Sequence, residues 1–341
     1  MPTLVRADLL RRAQGALLGV AIGDAMGAPV EGRSAAEIRA AHGRLTGFLN
    51  DEAAGTDDTD FTLFNAQLLI AHGRAITLAQ VEAEWRDQLL APGRAYRPGG
   101  FSDVCSTRNL TAGLSAPASG AFNHQMWSDG VAMAISPAGI MAAGDPALAA
   151  RLAATLGAVS NGRDGVCAAQ AVAAAIAVAL TGATPDAMLA AALAAVPADT
   201  WTARALQRAA DTVRALPDDP LTETGLDAAL ARLSDELVVP WWPWADLVTE
   251  AVPLAFGAFL AARGEFRRAV PAGVSLGRDA DTIGAIVGSL AGAYGGRDAI
   301  PDEWARRAAV SAGKCIGVVA GLEITAVAEQ LVDRALAEAL P

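Results

Sequence analysis

A chain of 341 residues with 53% hydrophobic residues can bury a large core, in one large domain or two medium ones. A formal charge of -11 without any run of Lys and Arg argues against a surface for phosphate backbones, so no nucleic-acid partner is expected. Cys105, Cys167 and Cys315 each stand alone, giving neither a disulfide framework nor a paired zinc spacing, which fits a reducing, cytoplasmic setting.

In chain order, helix-like segments are predicted over 7–25, 60–72, 78–89, 129–143, 146–159, 166–180, 185–195, 200–215, 226–233, 246–262 and 282–294, and with breaks over 301–339. Thr59 reads as an N-cap and Pro185 as a first-turn proline. Ala, Leu and Gly dominate, Val and Ile are scattered rather than alternating, and nothing resembles a βαβ series, so the expected fold is all-α. No linker is visible, which points to one domain over 1–341. Residues 91–125, rich in Gly, Ser, Pro and Asn, show no period and read as a segment that wraps the surface or lines a site.

Arg11 and Arg12 precede an apolar stretch at 16–22, superficially like a secretory signal, but Asp24 interrupts it and the sequence runs on as a domain. The apolar run at 166–180 contains Gln170 and is mostly alanine, so it reads as a buried helix and no membrane partner is expected.

Gly15, Gly19, Gly23 and Gly27 recur every four residues, as do Gly284, Gly288, Gly292 and Gly296. Residues four apart share a helix face, so each series forms a smooth stripe for close helix crossing, although each glycine costs about 1 kcal/mol of helix propensity. Beside these stripes lie two acidic clusters, Thr56-Asp57-Asp58-Thr59 and Asp279-Ala280-Asp281-Thr282, each running into an apolar helix-like segment. Acidic residues there suit a helix N-terminus, but a cap needs one side chain and each cluster has two carboxylates. If the clusters meet, they need a cation between them, and oxygen donors select Mg²⁺ or Mn²⁺ over zinc. His42, His72 and His124 have no zinc-ligand spacing. The run Trp241-Trp242-Pro243-Trp244 reads as a packed corner or a stacking platform, with Trp127 and Phe101 open to the same two readings. Asp246 and Glu250, one turn apart on one helix face, could add carboxylates to the cleft but read more readily as a solvated charged face.

Three ordered motifs carry a resemblance to the ADP-ribosylglycohydrolase family, the group that includes the enzyme removing ADP-ribose from dinitrogenase reductase. They are Gly15-Ala16-Leu17-Leu18-Gly19 through Gly23-Asp24-Ala25-Met26-Gly27-Ala28-Pro29-Val30-Glu31, then Thr56-Asp57-Asp58-Thr59, then Gly277-Arg278-Asp279-Ala280-Asp281-Thr282. The resemblance implies an orthogonal all-α bundle around a central metal cleft with two magnesium ions. It implies Thr56, Asp57 and Asp58 as metal ligands from one side, and Asp279, Asp281 and Thr282 from the other. Glu31 and Asp58 become the catalytic candidates. Asp24, Ser128, Asp129, Gly130, Met133, Asn161, Arg278 and Trp244 become candidates for shaping or contacting the substrate site. The implied reaction is hydrolysis of a ribosyl-type N- or O-glycosidic bond, on an ADP-ribosylated protein or small molecule. The chain departs from the family at Ala134, where an arginine is common, at 159–164, where a histidine is usual, and at Arg278, where glycine is usual. These positions spare the ligands and fall on substrate-facing segments. They leave open a smaller nucleoside or glycoside as substrate, or a binding protein without turnover.

Overall fold

The computed structural model describes residues 5–51, 54–216 and 222–339. Its helices in chain order are α1 (Arg6–Gly27), α2 (Ala35–His42), α3 (Asp57–His72), α4 (Leu78–Trp85), α5 (Phe101–Thr111), α6 (Ala118–Ala121), α7 (Ser136–Met141), α8 (Pro146–Gly157) and α9 (Asp164–Ala179). They continue as α10 (Pro185–Ala194), α11 (Trp201–Arg214), α12 (Glu223–Leu237), α13 (Val248–Ala261), α14 (Phe266–Ser275), α15 (Ala280–Gly295), α16 (Asp302–Arg307) and α17 (Ile324–Ala337). Among the described residues, β pairing is confined to isolated bridges, including Ser34 with Gly277 and Ser128 with Leu247. The fold is all-α. No helix among the described residues is long and apolar enough to cross a membrane.

The core is built on α1 and α15, which lie antiparallel with backbones in contact. A Cβ on Gly19 would sit 2.0 Å from the Gly288 carbonyl oxygen, and one on Gly23 would sit 2.0 Å from that of Gly284. Gly15 meets Gly292 and Gly27 meets Ala280 in the same register, so the two glycine stripes face each other. The lost helix propensity is offset by contact that only hydrogen side chains permit. Around this pair, α15 also packs on α9, α13 and α14, while α3 packs on α1, α7 and α17. Helix α9 is buried over most of its length, as its alanine-rich sequence requires.

Several expected boundaries shift. Helix α3 begins at Asp57, so Thr59 lies inside it and its hydroxyl donates to Asp24 rather than capping. Pro185 does open α10. Residues 130–134 form turns, and the helix expected over 129–143 shrinks to α7, which starts beside Pro137. The segment 91–125 contains α5 and α6, because Gly100 and Asp103 form an N-terminal cap without any apolar period to announce it. Helices α2 and α14 fall outside the segments whose sequence pattern predicts a helix. The first is set by a Ser34–Glu37 capping box, and the second carries an internal proline, Pro271, that masks it.

Candidate metal centre

The antiparallel register brings the C-terminal end of α1, with Asp24, beside the N-terminus of α15, with Asp281. Asp24 is fully buried and gathers the first turn of α3. It accepts from Thr56 N at 2.7 Å, Thr56 Oγ1 at 2.8 Å, Thr59 N at 3.0 Å and Thr59 Oγ1 at 2.5 Å. These four bonds hold its carboxylate at the inner side of the turn that carries Asp57 and Asp58. Asp60, one turn into α3, accepts from Ser311 Oγ at 3.0 Å, Cys315 N at 2.8 Å and Ile316 N at 3.0 Å. That loop in turn bonds residues 95–97, through Arg97 N to Cys315 O at 2.8 Å and Gly317 N to Ala95 O. The neighbouring Gly99 lies so close to Asp57 that a Cβ there would be 2.0 Å from Asp57 Oδ2.

The two acidic segments meet. One oxygen each from Asp24, Asp58 and Asp281 lie within 4.8 Å of one another, and so do oxygens of Glu31, Asp279 and Asp281. Thr56 and Asp279, which occupy the cap positions of α3 and α15, make no side-chain capping bond, so capping does not explain the clusters. Burial, then the charges of Asp24 and Asp281, raise Asp58 well above the ordinary carboxylate range. Burial and Asp279 do the same to Asp281, and burial and Asp129 to Asp279. Asp57 is also raised, chiefly by burial. Glu31 is exposed as a residue, but its carboxyl end turns into the cluster, and partial burial with the charge of Asp57 raises it.

Among the remaining predicted residues, Asp129 is buried beside Asp279, with Oδ2 lacking any partner among the described residues. Thr282 Oγ1 points to Met133 Sδ at 3.7 Å, which puts the buried Met133 behind the cluster. Asn161 Nδ2 donates to Ser128 O at 3.1 Å and Ser128 Oγ at 3.2 Å, so Asn161 braces the Ser128 turn from the interior. Gly130 sits against Ser102, whose Oγ would lie 2.8 Å from a Cβ placed there. Trp244 is exposed and joins a row of rings: Phe101 to Trp244 at 6.2 Å, Trp244 to Trp242 at 5.6 Å, and Trp242 to Trp127 at 4.8 Å between centroids. The row runs from the segment lying on Asp57 to the one carrying Asp129.

Arg278 is not free. Its Nε donates to Glu250 Oε1 at 2.6 Å and its Nη2 to Trp242 O at 3.0 Å. Glu250, expected on a solvated face, is instead fully buried, because this guanidinium neutralises it. Asp246 is partly buried and accepts from Trp242 Nε1 at 3.4 Å. Asp60 and Asp103 also belong to the site's framework, although none of the sequence motifs above marks them. Asp103 is buried and pushed up to about 7 by burial and the charge on Asp57. The Gly-Gly-x-x-Asp spacing before α5 was the one available signal for Asp103.

Crowded carboxylates with raised protonation, two orphaned buried oxygens (Asp58 Oδ1 and Asp129 Oδ2) and an all-oxygen donor set suit a hard divalent cation. A model of the ADP-ribosylglycohydrolase family matches residues 5–339. A protein of Archaeoglobus fulgidus, described only as uncharacterized, is 28% identical over 298 residues, spanning 84% of this chain and 88% of its own. A solved structure titled ADP-ribosylglycohydrolase-related protein complex superposes with a TM-score of 0.63 at 25% identity, covering 96% of this chain and 99% of that one.

Proposed function

Because the chain belongs to the ADP-ribosylglycohydrolase family, we propose that it is a divalent-cation-dependent hydrolase of a ribosyl-type N- or O-glycosidic bond, with Mg²⁺ as the ion and an ADP-ribosyl group as first substrate. The observation that carries this reading is the convergence of Asp58 with Asp281, and of Glu31 with Asp279, inside one buried acidic cluster. Thr56, Asp57 and Asp58 would hold two ions from the α3 side, and Asp279, Asp281 and Thr282 from the α15 side. Mn²⁺ would satisfy the same donors. Bound there, the ions supply charge to grip vicinal sugar hydroxyls and to polarise water.

The chain's own residues divide the remaining work. Asp24 keeps the Thr56–Thr59 turn in register through four hydrogen bonds. Glu31, exposed at the rim with its carboxyl against Asp279 and Asp281, takes a proton from the attacking water. Asp58, buried at the centre, would help hold the ions and offset positive charge growing on the anomeric carbon. Trp244 and Phe101 present exposed faces for a sugar or base, while Trp127 and Trp242 form the packed inner half of that wall.

A second reading, hydrolysis of a smaller nucleoside or glycoside, is favoured by Arg278, whose guanidinium is committed to Glu250 and carbonyl oxygens and so is not offered to a diphosphate. Purified protein incubated with ADP-ribosylated arginine, nucleosides and simple glycosides, with and without EDTA, separates the two. Release from any of them that EDTA abolishes supports a hydrolase. Cation and ligand binding without turnover anywhere in the panel would mean a binding protein instead.

A further inference from the structure

Arg278 stands where three parts of the site's rim come together. Its backbone is at φ 60, a left-handed conformation that strains a non-glycine residue by about 1 kcal/mol or more. Its N donates to Arg33 O at 2.6 Å and its carbonyl accepts from Gly32 N at 2.8 Å, gripping the loop just after Glu31. Its side chain reaches the other way, to Glu250 Oε1 and to the carbonyls of Trp242 at 3.0 Å and Trp244 at 3.3 Å. Glu250 Oε2 completes the clamp by accepting from Val239 N at 2.8 Å. The next residue along the chain is Asp279.

A glycine would satisfy this φ without strain, so what the arginine adds at this position is its side chain. A planar guanidinium with five fixed donors can hold a carboxylate and two carbonyls at once, and it transmits displacement better than a flexible ammonium. We propose that the Arg278–Glu250 pair couples the cation centre to the tryptophan segment, with Arg278 as a positioning residue that sets Trp242 and Trp244 according to whether Asp279 and Asp281 hold an ion. This rests on the cation-centre reading above. Drawing Asp279 onto an ion moves the adjoining Arg278 peptide, and every bond made by its side chain ends on the tryptophan segment or on the Glu250 that anchors it. The coupling is reciprocal: a ligand stacked on Trp244 tightens ion binding by the same factor by which the ion tightens the ligand.

The test titrates the full chain with MnCl₂ alone, following tryptophan emission and, in parallel, calorimetric ion uptake. A saturable emission change with the calorimetric midpoint is expected for the wild type, and W244F should lose most of it. R278G, whose glycine suits the φ, and R278G/E250Q, which also removes the unpaired buried charge, should bind Mn²⁺ within about threefold of the wild-type midpoint. Their emission change should fall about tenfold. R278K keeps a charge opposite Glu250 but lacks the second donor arm, and it should restore part of the signal. Full emission change in both glycine variants overturns the coupling, as does a flat wild-type emission alongside calorimetric uptake. No calorimetric uptake by the wild type overturns the cation centre itself, and the coupling with it.

Discussion

Replacing Gly23 by alanine tests the seam on which the site is built. The new Cβ would lie 2.0 Å from the Gly284 oxygen and 2.1 Å from its carbon, both backbone atoms that cannot rotate aside. Ordinary contact begins near about 3.4 Å, so the two helices must part by more than about 1 Å, and overpacking of this kind costs about 1–3 kcal/mol. Alanine returns up to about 1 kcal/mol of helix propensity, leaving a net loss of about 2 kcal/mol if the clash lies at the upper end. For 341 residues that lowers Tm by about 3 °C. Gly19→Ala meets the same obstruction at Gly288 and should lose as much stability. Only Gly23 adjoins Asp24, so Gly23→Ala should weaken Mn²⁺ uptake more than Gly19→Ala does. Gly47→Ala, which meets only the Trp304 ring at 3.5 Å, is the control. Calorimetry for the ion and differential scanning fluorimetry for Tm decide the matter. A Gly23→Ala protein as stable as the control would refute backbone contact between α1 and α15.

Asp58→Asn and Asp281→Asn each remove one anionic oxygen pair from the cluster with little change in volume. Each should weaken Mn²⁺ uptake by more than about tenfold, while Tm in EDTA at pH 8 stays level or rises because a crowded buried charge is gone. Wild-type uptake in both variants would remove them from the ligand set. Asp103 is raised to about 7 by burial and Asp57, so it is protonated more readily folded than unfolded. The stability it contributes is full below about pH 4 and lost as pH rises towards about 7. In cation-free buffer, Tm should therefore fall across that window, and Asp103→Asn, which can still accept from Gly100 N, should flatten the fall. An unchanged slope would assign the pH dependence to other groups.

The features that could be read from sequence are those with a strict local period. The four-residue glycine spacing encodes a helix face, and its antiparallel match to a second stripe is what brings Asp24 and Asp281 together. The paired carboxylates exceed what caps require, and that surplus pointed to convergence before any contact was visible. The residues that escaped depend on partners distant in the chain. Glu250 looked solvated because its neutralising arginine lies 28 residues on. Asp60 looked like one more acid in a helix start, and its three donors come from residues 311–316. The 129–143 segment has helical composition, yet Asp129 N bonds Asp246 O, a tertiary contact that overrides propensity. Asn161 and Met133 are placed by side-chain packing that no period announces.

The α1–α15 seam also has a bearing on biosynthesis. Residues 24 and 31 leave the ribosome well before residues 279–281, which complete the acidic centre. Until then the stripe on α1 has no surface to zip against, and the large loop between the halves must be closed late, against its chain entropy. Chains cut before α15 therefore carry no assembled centre, whatever else of the fold they have formed.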